Sequence, residues 1–275
     1  MTASLTHPRA FQRRVRRALS LRRTALVARW SPPPTRFDLH DEAVHAFDLV
    51  AGHTMLPFVR AATLYEIVAH CEAASIDGDF VECGVWKGGA VGVMAQANLR
   101  HGAQRRTLHL FDAFDDICEP DPLLDGSDVI DETLRIVGAR QFTGQLEPMK
   151  GAYDSVGGHG TETICRSLLV DRIGYPSDRL MFHSGWFQDT VPPFAAAAAS
   201  DRPIAILRLD GDYYASTKVC LDHLYERVIT GGFVIVDDYG AYEGCRSAVH
   251  DYFDVHGLKP FLHYTDDICR YWIKS

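Results

Sequence analysis

The chain has 275 residues, 47% of them apolar and 23% charged, enough for one large domain, or one domain with a long arm, around a sizeable core. No apolar run approaches the roughly 18 residues that a membrane span needs, and the seven cysteines are scattered, odd in number and without a Cys-x-x-Cys pair, which suggests neither a zinc site nor a disulfide framework and makes a reducing cytoplasm the expected compartment. The net charge of −8 is uneven: residues 1–37 hold nine arginines and no acid, so the rest of the chain stands nine charges lower, at −17, and an acidic body argues against nucleic acid as substrate.

In chain order, Arg9–Trp30 is an arginine-rich stretch with apolar residues at Phe11, Val15, Leu19, Leu21, Leu26 and Val27. Its plain reading is an arm that is disordered or packs on another subunit. A membrane-surface helix and a transit peptide share its composition. Ser31-Pro32-Pro33-Pro34 breaks the chain and divides a basic arm, 1–37, from a body, 38–275. Thr54 is placed to cap a helix in which Leu64, Ile67, Val68 and Cys71 recur at helical spacing. Phe80–Val85 reads as a buried strand, followed by a glycine-rich turn over Gly84–Gly89 and a helix over Ala90–Leu99. Thr107–Phe111 is a second strand, closed by Asp112. The polar region 113–170 has turn signals at Pro120, Pro122, Gly157-Gly158 and Gly160, with short helices expected near 129–138 and 161–171; it reads as an insertion that serves as a lid or substrate loop.

Leu180–His183 is the next strand, leading into Gly185-Trp186-Phe187, and a helix is expected over Ala195–Ala199. The strand Ile204–Leu209 ends abruptly in Asp210-Gly211-Asp212. A helix over about Ala215–Val228 leads to the strand Phe233–Val236, which ends in Asp237-Asp238. Gly244–Val255 suggests a further helix, and Pro260–Tyr264 with Ile268–Lys274 a closing hairpin. Strands alternating with helices predict an α/β fold: a seven-stranded, mostly parallel sheet with one antiparallel strand from the hairpin.

Two acidic strand ends one β-α-β crossover apart carry the chemistry. If their strands are parallel neighbours, four carboxylates meet at the edge of the sheet where α/β folds bind ligands. Crowded carboxylates repel, and a hard divalent cation relieves the repulsion. For either pair alone a solvated, helix-capping turn would be an equal explanation. The spacing Gly84-x-x-x-Gly88-Gly89 departs from the nicotinamide fingerprint, and glycines there serve either tight packing or close backbone approach to a ligand. Asp112 at the next strand end suits a ribose diol. Gly185-Trp186-Phe187 reads as core aromatics near a turn or as a wall for a flat adenine. His183 and His159 read as incidental.

Four stretches resemble the macrocin O-methyltransferases, which methylate sugar hydroxyls of macrolide and aminocoumarin antibiotics: Phe80–Ala90, Gly185–Thr190, Leu207–Thr217 and Gly231–Tyr239. The resemblance covers the chain from about Thr54 onward and leaves out residues 1–50; it diverges over 115–165. It implies the class I, Rossmann-like methyltransferase fold with helices on both faces, S-adenosylmethionine and Mg2+ as cofactors, a small, glycosylated acceptor and a homo-oligomer. By motif, it assigns Asp210, Asp237 and Asp238 to the metal and Asp212 to the general base. It also places Glu82, Gly84, Gly88 and Gly89 at the methionine end of the cofactor, with Asp210 beside it, Asp112 at the ribose, Gly185 and Trp186 near adenine, and Thr54 and Met55 over the cofactor. A metal-dependent glycosyltransferase needs only the Asp-x-Asp pair, not the second acidic pair or the turn with Asp112. A cofactor-binding protein without catalysis would usually lose one of the four acids. A catechol or a lipid-linked sugar would keep the chemistry and change the acceptor.

Overall fold

The structure, a computed structural model, describes residues 39–138, 141–197 and 203–275. The arginine-rich arm expected over 1–37 lies outside the described residues. Residues 41–275 form one compact unit.

Two helices, α1 (His40–Leu49) and α2 (Phe58–Ala73), precede the sheet. Then β1 (Asp79–Cys83), α3 (Gly89–His101) and β2 (Leu108–Asp112) follow as the glycine-rich turn predicts. The insertion carries α4 (Ser127–Val137) and α5 (Glu162–Arg166), the latter continued as a wider turn to Arg172. β3 (Leu180–Ser184), α6 (Phe187–Ala197), β4 (Ile204–Leu209), α7 (Tyr214–Leu224) and β5 (Val228–Val236) complete the parallel part. α8 (Glu243–His256) and the hairpin β6 (His263–Tyr264) with β7 (Arg270–Ile273) close the chain.

The sheet runs β3-β2-β1-β4-β5-β7-β6, with β7 antiparallel to both neighbours. The expected parallel neighbours, β4 and β5, are paired. Both faces of the central strands are covered, so every residue of β4 is buried, as suits a parallel strand between two helical layers. On one face Val81, Cys83, Phe111, Leu207, Leu209, Val234 and Val236 pack with α7 and α8 residues such as Leu221 and Val249.

Chain order runs outward from β1 to β3 on one side and from β4 to β5 on the other. The switch point between β1 and β4 is where open α/β sheets bind ligands, beyond the carboxyl ends of the strands. The last ladder bonds align those ends: Asp210 N donates to Cys83 O (2.8 Å), Asp237 N to Leu209 O (2.9 Å) and Gly84 N to Phe111 O (2.9 Å).

Several boundaries differ from expectation. Thr54 does not cap α2; Pro57 holds that position, and Thr54 Oγ1 instead accepts from Leu56 N at 3.1 Å in a tight turn. α6 starts at Phe187, not Ala195, with Pro192 and Pro193 inside it. β5 starts at Val228, not Phe233, and the Gly231-Gly232 pair within it is stitched to the last strand: Gly231 N donates to Lys274 O and Lys274 N to Gly232 O.

Candidate functional site

A cavity of about 320 Å³ opens at the switch point. That is within the usual range of small-molecule sites. Its wall brings together Thr54, Met55, Glu82, Gly84, Gly89, Asp112, Asp210, Asp212, Asp237 and Asp238. Gly88, Gly185 and Trp186 are not on it. Gly88 is the left-handed cap of α3 (φ +87°), packed on Cys165, and Gly185 donates its amide to Asp112 O at the end of β2 (2.9 Å).

Glycine at position 84 has a local cause. A Cβ there would lie 1.8 Å from Asp210 O, and φ is +95°. The residue is bare so that the ends of β1 and β4 can touch. At Gly89 a Cβ would meet His53 O and the Thr54 side chain at 2.4 Å. These glycines let backbone approach backbone, which brings the acids and the Thr54 turn to one place. Asp112 fixes the turn between them: its Oδ2 accepts from Val85 N (2.7 Å) and Trp86 N (2.8 Å), and its Oδ1 from Phe114 N (2.7 Å).

The insertion forms the outer wall through Asp115, Tyr153 and Gly160. Trp86, itself left-handed at φ +48°, donates its indole N–H to Gly158 O at 3.1 Å. Lys87 lies over that ring at 4.4 Å and donates to Gly157 O at 2.8 Å. The sequence offered Gly157-Gly158 only as turn signals; their carbonyls are the anchor points.

One carboxylate oxygen each from Asp210, Asp237 and Asp238 lie within 4.8 Å of one another. Ligands around a hard octahedral ion at 2.0–2.1 Å sit about 3–4 Å apart, so this all-oxygen set fits such an ion. Asp212 stands beside them, left-handed at φ +62°, and its amide donates to Asp238 Oδ2 at 3.2 Å. Strained backbone of this kind persists where the surroundings enforce it, often at functional positions. Asp115, Asp116 and His159 form a second close group. There Lys150 Nζ already neutralises Asp115 at 2.6 Å, and the amides of Gly151 and Tyr153 occupy Asp116.

Two arginines that sequence reading passed over hold the cluster. Arg208, 2% exposed in mid-strand, donates from Nη1 to Glu82 Oε1 and Asp210 Oδ2 (2.8 Å), and from Nη2 to Asp237 Oδ1 (2.7 Å). Arg60, from the first turn of α2, donates to Asp237 Oδ2 (2.6 Å) and Asp266 Oδ2 (2.7 Å). The signal for Arg208 was in the sequence: one guanidinium inside an otherwise apolar strand must have buried partners. Glu82 Oε2 is buried and without a hydrogen-bond partner.

Seven carboxylates and one arginine line the cavity, and no lysine. Burial pushes Glu82 up to about 8, against the pull of Arg208. It does the same to Asp212, also to about 8, helped by the charges of Asp210 and Asp237. Asp238 is also raised well above the ordinary carboxylate range, by burial and by the charge of Asp212. The folded, ligand-free protein therefore holds protons that the unfolded chain releases above its ordinary values of 4.5 for Glu82 and 3.8 for Asp212. This contribution to stability is complete near the bottom of that window and is lost as pH rises toward 8. Thermal melts of ligand-free protein are expected to fall in midpoint from about pH 5 to pH 8; a midpoint that rises over this range contradicts the burial of these acids.

The family model described as macrocin-O-methyltransferase (TylF) matches residues 12–138 and 168–274. The chain is 32% identical over 221 residues to 8-demethyl-8-(2,3-dimethoxy-alpha-L-rhamnosyl)-tetracenomycin-C 4'-O-methyltransferase of Streptomyces olivaceus, covering 80% of this chain and 75% of that one. It is also 32% identical to the mycinamicin III 3''-O-methyltransferase of Micromonospora griseorubida, over 82% of this chain and 79% of the relative. The solved O-methyltransferase NovP superposes with a TM-score of 0.65 at 29% identity, covering 81% of this chain and 82% of NovP. The calicheamicin methyltransferase CalS11, at 16% identity and a TM-score of 0.55 over 88% of this chain and 99% of that one, shares the fold.

Proposed function

Because the chain belongs to the macrocin O-methyltransferase family, and so is an O-methyltransferase, we propose that it methylates a hydroxyl of a sugar on a small glycosylated molecule, with S-adenosylmethionine as donor and Mg2+ as the bound cation. The observation that carries this reading is the meeting of Asp210, Asp237 and Asp238, with Asp212 beside them, at the switch point of the sheet. Relatives named for a rhamnosyl tetracenomycin and for mycinamicin III support the acceptor class.

When bound, the cofactor supplies the methyl group, and the cation lowers the pKa of the acceptor hydroxyl. The chain supplies position and a base. Asp210, Asp237 and Asp238 offer the oxygen donors that a hard ion prefers. Asp212 is the proton acceptor: it lines the same cavity, close enough to the cluster for their charges to interact. Glu82, with its free buried Oε2, is the acceptor for the ammonium of the methionine end, beside Gly84 and Gly89. Asp112 retains one acceptor site, on Oδ1, for a ribose hydroxyl while it fixes the turn that includes Gly88. Thr54 and Met55 cover the cofactor, Gly185 and Trp186 border its adenine end, and the insertion around 113–170 is the lid on the acceptor side.

Holding donor and acceptor in line supplies much of the rate for such a transfer. The test is a screen of neutral glycosides, a nucleotide sugar and a catechol with labelled S-adenosylmethionine. Label in the sugar of a glycoside is expected; label only in the catechol would move the acceptor class, and no label in any of them with the cofactor bound would remove the reading.

A further inference from the structure

We propose that Arg60 is a positioning residue that sets how tightly the acidic cluster holds a divalent cation, keeping that ion weakly bound and exchangeable. The inference rests on the proposed cation site. Asp237 is gripped at both oxygens, by Arg208 at 2.7 Å and by Arg60 at 2.6 Å, and this fixes its rotamer in the ligand-free protein. No guanidinium is bonded to Asp238, its neighbour in the cluster, among the described residues.

Arg60 is also tethered away from the cluster. Its Nε donates to Asp266 Oδ2 at 2.7 Å, and Asp266 is itself pinned, its Oδ1 accepting from Ile268 N (2.9 Å) and Cys269 N (2.8 Å) in the hairpin loop. The guanidinium is therefore held in place when a cation arrives, with both charges on the same carboxylate. Where the effective dielectric is nearer 20 than 80, their repulsion outweighs the rotamer freedom that Asp237 would regain without Arg60. Arg208 remains to orient Asp237 in either case. Arg60 thus stabilises the carboxylates without the ion and weakens their hold on it.

The experiment measures Mn2+ affinity by electron paramagnetic resonance and Mg2+ affinity by calorimetry on the full chain, without cofactor or acceptor. Arg60→Met is expected to bind either ion about tenfold more tightly than wild type, the direction that removing a nearby like charge dictates. Arg60→Lys, which keeps the charge, is expected to stay close to wild type, an outcome that a purely structural role for the arginine would not give. Should Arg60→Met fail to fold, Arg60→Gln tests the same point: it removes the charge, keeps a polar group toward Asp237 and Asp266, and should tighten binding likewise. Equal or weaker binding in a folded Arg60→Met, with the ion bound by wild type, overturns the inference and leaves the cation site standing. Absence of ion binding in wild type and variants alike removes the cation site and the inference together.

Discussion

Asp212→Asn is expected to cut turnover about 10²–10⁴-fold, the usual worth of a positioned base, while cofactor and Mg2+ still bind. The carboxylate sits on the cavity wall next to the cluster, on a backbone that only Gly, Asn or Asp adopts readily, so asparagine keeps the conformation and loses the base. Its backbone amide donates to Asp238 Oδ2, and that bond survives the substitution. Single-turnover rates with bound cofactor measure the effect. A variant within a few-fold of wild type would remove Asp212 from the proton transfer. If instead its activity returns with excess Mg2+, Asp212 is a ligand, and Asp210 takes the role of base.

Arg208→Met is expected to cost about 3–5 kcal/mol of stability, the range for removing one partner of a buried ion pair. For a body of this size that lowers the melting midpoint by roughly 6–20 °C. Asp237 would still have Arg60, and Asp210 is 31% exposed to the cavity. Glu82, 1% exposed, would lose the one partner it has, since Oε2 already lacks one. Pairing the change with Glu82→Met should recover most of the loss, because replacing both members of a buried pair by apolar groups is often neutral. A melting midpoint within about 2 °C of wild type for Arg208→Met would show that the acids do not depend on that guanidinium.

These two residues mark what could and could not be read in advance. Asp212 was legible because a strand-forming run ending in Asp-Gly-Asp, one crossover from a second run ending in Asp-Asp, has few structural explanations. Strands β1, β2, β4 and the end of β5 were legible as short apolar runs between turn residues. Arg208 was visible as an anomaly, but its partners were not, because they are set by register: Glu82 lies opposite it on β1, and Asp237 follows the neighbouring stretch of β5. Arg60 reaches the site from a helix 177 positions away along the chain, a distance no local pattern spans. Tyr153 and Gly160 enter the wall from a polar insertion without periodicity, held by carbonyls that any sequence could present. Helix α6 was hidden by Pro192 and Pro193; amides of Asp189 and Thr190 on Trp186 O begin it nonetheless. Of the glycines of the first turn, Gly84 and Gly89 reach the cavity wall and Gly88 does not, and Gly84 is required by the Asp210 backbone, a contact that exists only once β1 and β4 are neighbours.

The most direct test of cation-assisted methyl transfer at this cluster is a Mg2+ titration of turnover on chelator-treated protein, wild type against Asp237→Asn. Wild type is expected to be inactive after chelation and fully restored by Mg2+, and Asp237→Asn to need a higher Mg2+ concentration for the same fraction of its own maximum. Full turnover of chelated wild type, with no ion left in the protein, would contradict the account.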